Sequence, residues 1–420
     1  MVRRSVLTVF AVIATAFAIL SVVTLPGPAS AITPSQTAVT SIMVETGPSS
    51  VAVSPDGSSV WVTNFNSDTV SRINTATNVV TSITVGSGPS SLAVSPDGSS
   101  VWVGARNQNG VGVVARINTT TEAVTSITVG FYPSSVAVSP DGSSVWVTNL
   151  INVSRIDTTT DAVTVITVGT YPFIVAVSPD GSSVWVTNYQ SDTVSRIDTA
   201  TNAVTSITVG SGPYGVVVSP DGSSVWVTNN NSASVSRIDT ATNAVTSITV
   251  GANPWDVVVS PDGSSVWVTN QGTGTVSRID TASNAVTSIT VGSNPSGVVV
   301  SPDGSSVWVT NQASGTVSRI TFPPQSPANI TATPGNAQAT ISWTAPTNTG
   351  GSPITGYTAT ASAGGQSCTT TTATSCTISG LTNGTAYDIS VTATNAAGTS
   401  DPSVVSVTLT SDLVAPAFTG

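Results

Sequence analysis

A six-residue motif, Ser-Pro-Asp-Gly-Ser-Ser, returns seven times along this 420-residue chain. It begins at Ser54, Ser95, Ser139, Ser178, Ser219, Ser260 and Ser301, at intervals of 41, 44, 39, 41, 41 and 41 residues. A repeat of about 40 to 45 residues without helical periodicity is typical of β-propeller blades. The period therefore predicts an all-β propeller with one blade per unit.

Each unit divides into four short strands, as the fifth unit shows. The predicted strands are Val216–Ser219, Val225–Thr228, Val235–Ile238 and Ala244–Val250. They are rich in β-branched residues, and Pro220-Asp221-Gly222 forms the first turn because proline presets φ and glycine tolerates positive φ. Four strands make one blade.

The two ends of the array indicate how the propeller closes. The seventh unit has three strands and then runs into Phe322-Pro323-Pro324, where no fourth strand follows. The segment Thr37–Val44, which precedes the first unit, is similar in sequence to the fourth strand of the fifth unit, Asn243–Val250. Closure by this segment would remove two open sheet edges. The prediction is a seven-bladed β-propeller whose N-terminal strand completes the last blade.

The repeat resembles a known family over residues 36–320. Val-Ala-Val-Ser-Pro-Asp-Gly, Val-Trp-Val-Thr-Asn and Val-Ser-Arg-Ile-Asp-Thr-Ala-Thr-Asn are similar to the YVTN family of β-propeller repeats. The resemblance implies an exported surface protein more than it implies an activity. The chain differs from that family by an arginine in each third strand and by tryptophan in place of the usual tyrosine, at Trp61, Trp102, Trp146, Trp185, Trp226, Trp267 and Trp308.

Composition excludes several classes of function. The chain contains no histidine, and all ten of its basic residues are arginine, so histidine or lysine catalysis is excluded. Its net charge of -10 disfavours binding to nucleic acid or to anionic membranes. No cofactor and no metal site is predicted.

The first 31 residues have the pattern of a secretory signal peptide. Arg3 and Arg4 precede the apolar run Ser5–Leu25, and Ala29-Ser30-Ala31 forms a small-residue cleavage site. We expect an extracellular protein that starts near Ile32 and has no membrane span after cleavage. An uncleaved N-terminal anchor is the alternative, because the apolar run is long for a signal core.

A second domain follows the propeller, which is expected over residues 32–321. Residues 322–327 form a proline-rich linker, 328–411 a domain with a new pattern, and 412–420 a tail. Over residues 326–411 the chain resembles a bacterial fibronectin type III domain, a β-sandwich. In this comparison Trp343 suits the core and Tyr387 a tyrosine corner.

The only two cysteines lie in this second domain. Cys368 and Cys376 are expected on adjacent hairpin strands of an exported chain, which favours a disulfide. A reactive thiol pair is the alternative.

Comparison of the repeats with one another separates two classes of loop. The turns between first and second strands and between third and fourth strands barely change, whereas the second-to-third and fourth-to-first loops vary. In an antiparallel blade the two variable classes emerge at the same end, which we call the variable face; the other end is the scaffold face. Apart from the repeated tryptophans, the propeller's aromatic residues before Phe322 all belong to the variable face: Phe65, Phe131, Tyr132, Tyr171, Phe173, Tyr189, Tyr214 and Trp255.

One position of the variable face is aromatic in three successive units. The residue after the loop proline is Phe173, Tyr214 and Trp255 in units four to six, and it is serine in the other four units. These three, with Tyr132, Tyr171 and Tyr189, are the candidate ligand-binding residues, because flat rings on a polar face suit sugar or peptide binding. The alternative is that the rings pack the loops of neighbouring blades.

The repeated charges are expected to be structural. One arginine and one Ser-Pro-Asp-Gly aspartate occur in every unit, which favours turn hydrogen bonds or ion pairs within the blades. Asp68 and Asp192 lie in Asn-x-x-Ser-Asp loops, but they lack the ordered spacing of a calcium loop.

Three functions remain after these exclusions. The first is a secreted or surface binding or scaffold protein, whose variable face engages a cell-wall polysaccharide or an extracellular protein. The second is an enzyme, either similar to the streptogramin lyases, which are also seven-bladed propellers, or a carbohydrate-active hydrolase. The lyase site depends on histidine, and for a carboxylate pair the variable face offers only Glu45, Asp68, Asp192 and Asp256. The third is a purely architectural surface-layer protein.

Overall fold

A computed structural model of the chain describes residues 42–409, which form strands and no helix. No helix that could cross a membrane is therefore found in this range. The signal-peptide prediction and most of the closing segment, residues 37–41, lie outside the described residues. The described residues divide into two compact units, one made of 42–299 with 308–318 and the other of 300–307 with 319–409.

Seven successive antiparallel sheets form the repeat region, and their strands follow the chain order. The first sheet holds β1 Pro48–Val53, β2 Ser59–Asn64, β3 Thr69–Asn74 and β4 Val80–Thr84. The second holds β5 Ser87–Val94, β6 Ser100–Arg106, β7 Gly112–Asn118 and β8 Val124–Thr128. The third holds β9 Ser135–Val138, β10 Ser144–Thr148, β11 Val153–Asp157 and β12 Val163–Ile166. The fourth holds β13 Pro172–Val177, β14 Ser183–Asn188, β15 Thr193–Asp198 and β16 Val204–Thr208.

The remaining repeat sheets keep the same order. The fifth holds β17 Pro213–Val218, β18 Ser224–Asn229, β19 Ser234–Asp239 and β20 Val245–Thr249. The sixth holds β21 Pro254–Val259, β22 Ser265–Asn270, β23 Thr275–Asp280 and β24 Val286–Thr290. The seventh holds three strands, β25 Pro295–Val300, β26 Ser306–Asn311 and β27 Thr316–Thr321. The predicted four-stranded repeat is confirmed, and closure of the seventh sheet stays a prediction.

Hydrophobic cores lie between successive sheets. Trp226 of β18 is fully buried and packs in one cluster with Val257 and Val268 of the sixth sheet. The other clusters repeat this arrangement from sheet to sheet. The repeated tryptophan therefore joins neighbouring sheets, and burial of so large a ring contributes strongly to their stability.

The repeated arginine spans the same interface. Arg237 lies opposite Trp226 in the strand register, with its guanidinium carbon 5.0 Å from the ring centroid. It also donates from Nη1 to the Thr281 carbonyl at 2.7 Å and to Asn284 Oδ1 at 3.0 Å, both in the next sheet's third turn. The structural role predicted for the arginine is thus supported by contacts that link two sheets.

The C-terminal domain is a β-sandwich of two sheets. One sheet holds β28 Ala328–Gly335, β29 Gln338–Thr344 and β32 Ser375–Ser379. The other holds β30 Ile354–Ala361, β31 Ser367–Thr370, β33 Ala386–Asn395, β34 Gly398–Thr399 and β35 Ser403–Thr408.

The core of this sandwich agrees with its sequence. Trp343 is buried in it against Tyr357, with ring centroids 5.4 Å apart. Tyr387 Oη accepts the Thr382 amide at 2.9 Å, which is the bond of the expected tyrosine corner.

The disulfide between Cys368 and Cys376 is present, but its placement differs from the expectation. Its two cysteines lie on β31 and β32, which belong to different sheets and do not pair with each other. The adjacent-hairpin prediction was therefore wrong. The chain crosses between sheets within the short segment that separates the two cysteines, and the disulfide links the two sheets.

Candidate functional site

The scaffold face of the repeat is stabilised by its own turns. In the fifth sheet, Asp221 Oδ1 accepts the Ser219 hydroxyl at 2.6 Å and the Ser223 amide at 3.0 Å. These bonds favour the carboxylate and lower the pKa of Asp221 to about 2, with the Ser219 hydroxyl contributing most. The same turn lowers the pKa to about 2 at Asp56, Asp97, Asp141 and Asp180.

At the variable face, a buried threonine of the preceding sheet positions the residue that follows the loop proline in the fourth to seventh sheets. Thr187 Oγ1 donates to the Tyr214 carbonyl at 2.8 Å, and Thr228 Oγ1 donates to the Trp255 carbonyl at the same distance. The first strands of the fourth, fifth and sixth sheets change register just after their proline, as between Pro213 and Val216. A bulge of this kind re-aims a side chain, and here it holds the three aromatic residues at equivalent places in neighbouring sheets.

Phe173, Tyr214 and Trp255 form one continuous stack across the fourth, fifth and sixth sheets. Their ring centroids are 4.4 Å apart between Phe173 and Tyr214 and 3.8 Å apart between Tyr214 and Trp255. Gly215 permits this approach, because a Cβ there would lie 2.8 Å from the Trp255 carbonyl oxygen. We call these three rings the aromatic stack.

Burial differs along the stack. Phe173 is 3% exposed and Tyr214 is 7% exposed, whereas Trp255 is partly exposed. Phe173 and Tyr214 therefore pack between neighbouring sheets, which is the alternative considered for these rings. Trp255 is the member of the stack that offers surface to a ligand.

The other three candidate tyrosines divide into two groups. Tyr171 lies 6.3 Å from both Phe173 and Tyr189, measured between ring centroids, so Tyr171 and Tyr189 extend the stack outward. Tyr132 is 43% exposed and lies under the guanidinium of Arg106, 5.5 Å from ring centroid to Cζ.

Two polar side chains near the stack are buried without a hydrogen-bond partner in the described part of the chain. One is the Tyr214 hydroxyl and the other is Gln271 Nε2. Burial raises the pKa of Tyr214 well above its usual value of 10, and the Asp256 charge raises it further. The backbone amide of Gln271 donates to the Asn253 carbonyl at 3.0 Å, which places Gln271 next to the loop that leads to Trp255.

Asp256 is the acidic residue closest to the stack in sequence. Its Oδ1 accepts the Val257 amide at 2.9 Å, and its Oδ2 accepts the Val298 amide of the seventh sheet at 3.0 Å. Burial raises the pKa of Asp256 to about 6, and the two amide bonds offset only part of that effect. The sequence analysis named Asp256 as one of four carboxylates on the variable face but did not distinguish it from the other three. The signal that could have distinguished it is an acidic residue at a position that is serine, isoleucine or glycine in the other repeats.

The two loop aspartates considered for calcium have structural roles. Asp68 Oδ1 accepts the Gly88 amide at 2.9 Å, and Asp192 Oδ1 accepts the Gly212 amide at 2.8 Å. Each carboxylate thus joins the second-to-third loop to the fourth-to-first loop of its sheet. Residues 42–409 hold no group of three metal-ligating side chains.

Comparison with known proteins identifies both domains. The model of the Virginiamycin B lyase family matches residues 35–320. The chain belongs to this family. A fibronectin type III domain matches residues 323–408, directly after the lyase-family region. No curated protein matches the chain.

Two solved structures are reported as similar to this lyase-family chain. Kuenenia stuttgartiensis hydrazine synthase is 24% identical, with a TM-score of 0.55 over 69% of this chain and 99% of that chain. A functionally unknown protein from Desulfotomaculum acetoxidans is 18% identical, with a TM-score of 0.47 over 61% of this chain and 93% of that chain. At such identities the likeness to hydrazine synthase concerns the fold alone.

Proposed function

We propose that this chain is an extracellular binding protein whose variable face engages a cell-wall polysaccharide through the aromatic stack. The proposal includes the finer features expected from the sequence: a signal peptide over residues 1–31 and a seven-bladed propeller closed by Thr37–Val44. The sandwich serves as a spacer or second contact.

The observation that carries the proposal is the partly exposed Trp255 at one end of the stack. The equivalent position is serine in four other sheets, so the fold of a blade does not require a ring there. A partly exposed indole beside polar loops is a common surface for stacking on a sugar ring.

Lyase activity is the alternative that the family suggests. The chain has no histidine, which the lyase-type site requires according to the resemblance considered above. Fold by itself does not carry activity, so the binding role is the better supported of the two.

The test is binding of the secreted chain to intact cell walls and to a polysaccharide panel. We expect saturable binding that is lost in Trp255→Ser, a variant that places the residue of the other blades at this bulge. Phe131→Ser, on the same face but outside the stack, is the matched control and should bind like the parent. Wall binding that is unchanged by Trp255→Ser would contradict the proposal, and binding only to proteins would redirect it to a protein ligand.

A further inference from the structure

The aromatic stack ends at an open position. It runs in one direction through Phe173, Tyr214 and Trp255, and the next sheet has Ser296 at the equivalent place. Tyr214 covers one side of Trp255 at 3.8 Å, whereas Ser296 supplies no ring on the other side. The partial exposure of Trp255 agrees with this gap.

A carboxylate spans the same gap. Asp256 follows Trp255 directly and reaches the Val298 amide in the seventh sheet, two residues after Ser296. The residue that links Trp255 to the seventh sheet is therefore an acid. The equivalent residues Ser91 and Ser135 accept an amide of the next sheet with a neutral hydroxyl, so the contact between sheets does not require a charge.

The charge of the variable face agrees with a positively charged ligand. Its acidic residues are Glu45, Asp68, Asp192 and Asp256, and its one basic residue within residues 42–409 is Arg106. The repeated arginines are held in the contacts between sheets, such as that of Arg237 with the third turn of the next sheet. A cation over an indole face is attracted by the ring quadrupole, and a nearby carboxylate adds to that attraction.

Two buried polar groups indicate that the ligand also carries hydroxyl or carbonyl groups. Gln271 Nε2 is a donor without a partner in the described residues, and it lies in the same pair of loops as Trp255. The buried Tyr214 hydroxyl is likewise without a partner there, and Tyr214 as a whole is 7% exposed. Buried polar groups normally have hydrogen-bond partners, so both groups are suited to a polar ligand.

We propose that the open end of the stack, formed by Trp255, Asp256 and Gln271, binds the ammonium-bearing ring of an amino sugar. The pyranose ring stacks on Trp255, the ammonium group pairs with Asp256, and a ring hydroxyl accepts from Gln271. This inference rests on the proposed function and specifies the chemistry of its ligand.

The experiment compares two matched oligosaccharides with the whole chain at neutral pH by titration calorimetry. The probes are a glucosamine tetramer and an N-acetylglucosamine tetramer, which share their ring and linkage but differ at the nitrogen, an amine that can be protonated in the first and a neutral acetamide in the second. We expect the glucosamine tetramer to bind at least about tenfold more tightly. Asp256→Asn should remove most of this difference, and Phe131→Ser should preserve it.

Each other result overturns the inference in an identifiable way. Equal binding of both tetramers, unchanged by Asp256→Asn, would leave a sugar-binding face without a cation site. Equal binding of tetralysine and the glucosamine tetramer would show that the sugar ring is not recognised. If neither tetramer binds while cell walls still do, the amino-sugar inference fails and the proposed function stands; if walls do not bind either, both fail.

Discussion

The scaffold face and the variable face of the repeat shift the pKa of an aspartate in opposite directions. On the scaffold face, Asp221 is exposed and accepts several hydrogen bonds from its own turn, which lower its pKa to about 2. On the variable face, the Asp256 carboxylate accepts amides from two sheets, and burial raises its pKa to about 6. One fold thus holds seven repeated carboxylates in its turns and one unrepeated carboxylate beside the aromatic stack. The contrast shows that repetition marks structural residues and that departure from the repeat marks the candidate site.

The largest expected effect concerns the two kinds of tryptophan. Trp226→Ala should lower the free energy of unfolding by about 3–5 kcal/mol, because it leaves a cavity between the fifth and sixth sheets. Trp255→Ala should cost less than half as much, because Trp255 is partly exposed and packs mainly on Tyr214. Unfolding of both variants in guanidinium chloride measures the two losses in the free energy of unfolding. Equal losses would assign Trp255 to the scaffold.

The pH dependence of stability should separate the two aspartates. For Asp256 the folded pKa of about 6 lies above the model value of 3.8, so the folded state holds the proton more tightly and stability falls as pH rises from about 4 to 6. Asp256→Asn should remove this loss, which is up to about 3 kcal/mol. The pKa values of the nearby Tyr171 and Tyr214 are raised above 10 by burial, so these phenols do not titrate in this window.

The opposite sign is expected for the scaffold turn. Asp221 has a folded pKa of about 2, below the model value of 3.8, so its contribution is complete above about 4 and is lost as pH falls toward 2. Thermal unfolding of the parent, Asp256→Asn and Asp221→Asn across both windows makes the comparison. A flat difference between the parent and Asp256→Asn from pH 4 to 6 would refute the assignment of a raised pKa.

The smallest expected effect concerns the Tyr214 hydroxyl. Tyr214→Phe keeps the ring in the stack and removes a buried group that has no partner among residues 42–409. We expect a gain in stability of about 1 kcal/mol, since an unsatisfied buried polar group is unfavourable. Tyr387→Phe is the control, because its hydroxyl accepts the Thr382 amide and its loss should destabilise the sandwich. A destabilised Tyr214→Phe would mean that the hydroxyl has a partner in the folded chain.

Much of the fold was predictable because the same strand and turn pattern occurs seven times in the sequence. The predicted strand Val225–Thr228 lies within the observed Ser224–Asn229, and the turn residues between strands agree with the local rules for proline and glycine. The tyrosine corner was also predictable, because its bond joins Tyr387 to a residue only five positions earlier. Local contacts of this kind leave a pattern in the sequence.

The candidate site was only partly predictable. The three aromatic residues at one repeat position were found from the sequence, but their burial was not, because it depends on how closely neighbouring sheets approach at Gly215. The disulfide was expected, whereas the separation of its cysteines into two sheets was not.

The sequence by itself determined the strand content, the repeat, the division into a variable and a scaffold face, and the list of aromatic residues on the variable face. These follow from periodicity and turn chemistry, which act between neighbours along the chain. Only the tertiary structure decided that Phe173 and Tyr214 are buried, that Trp255 ends the stack beside Ser296, and that Asp256 lies between two sheets with a raised pKa. The reason is that burial and electrostatic environment come from residues about 40 positions apart, such as Asp256 and Val298, which the fold brings together.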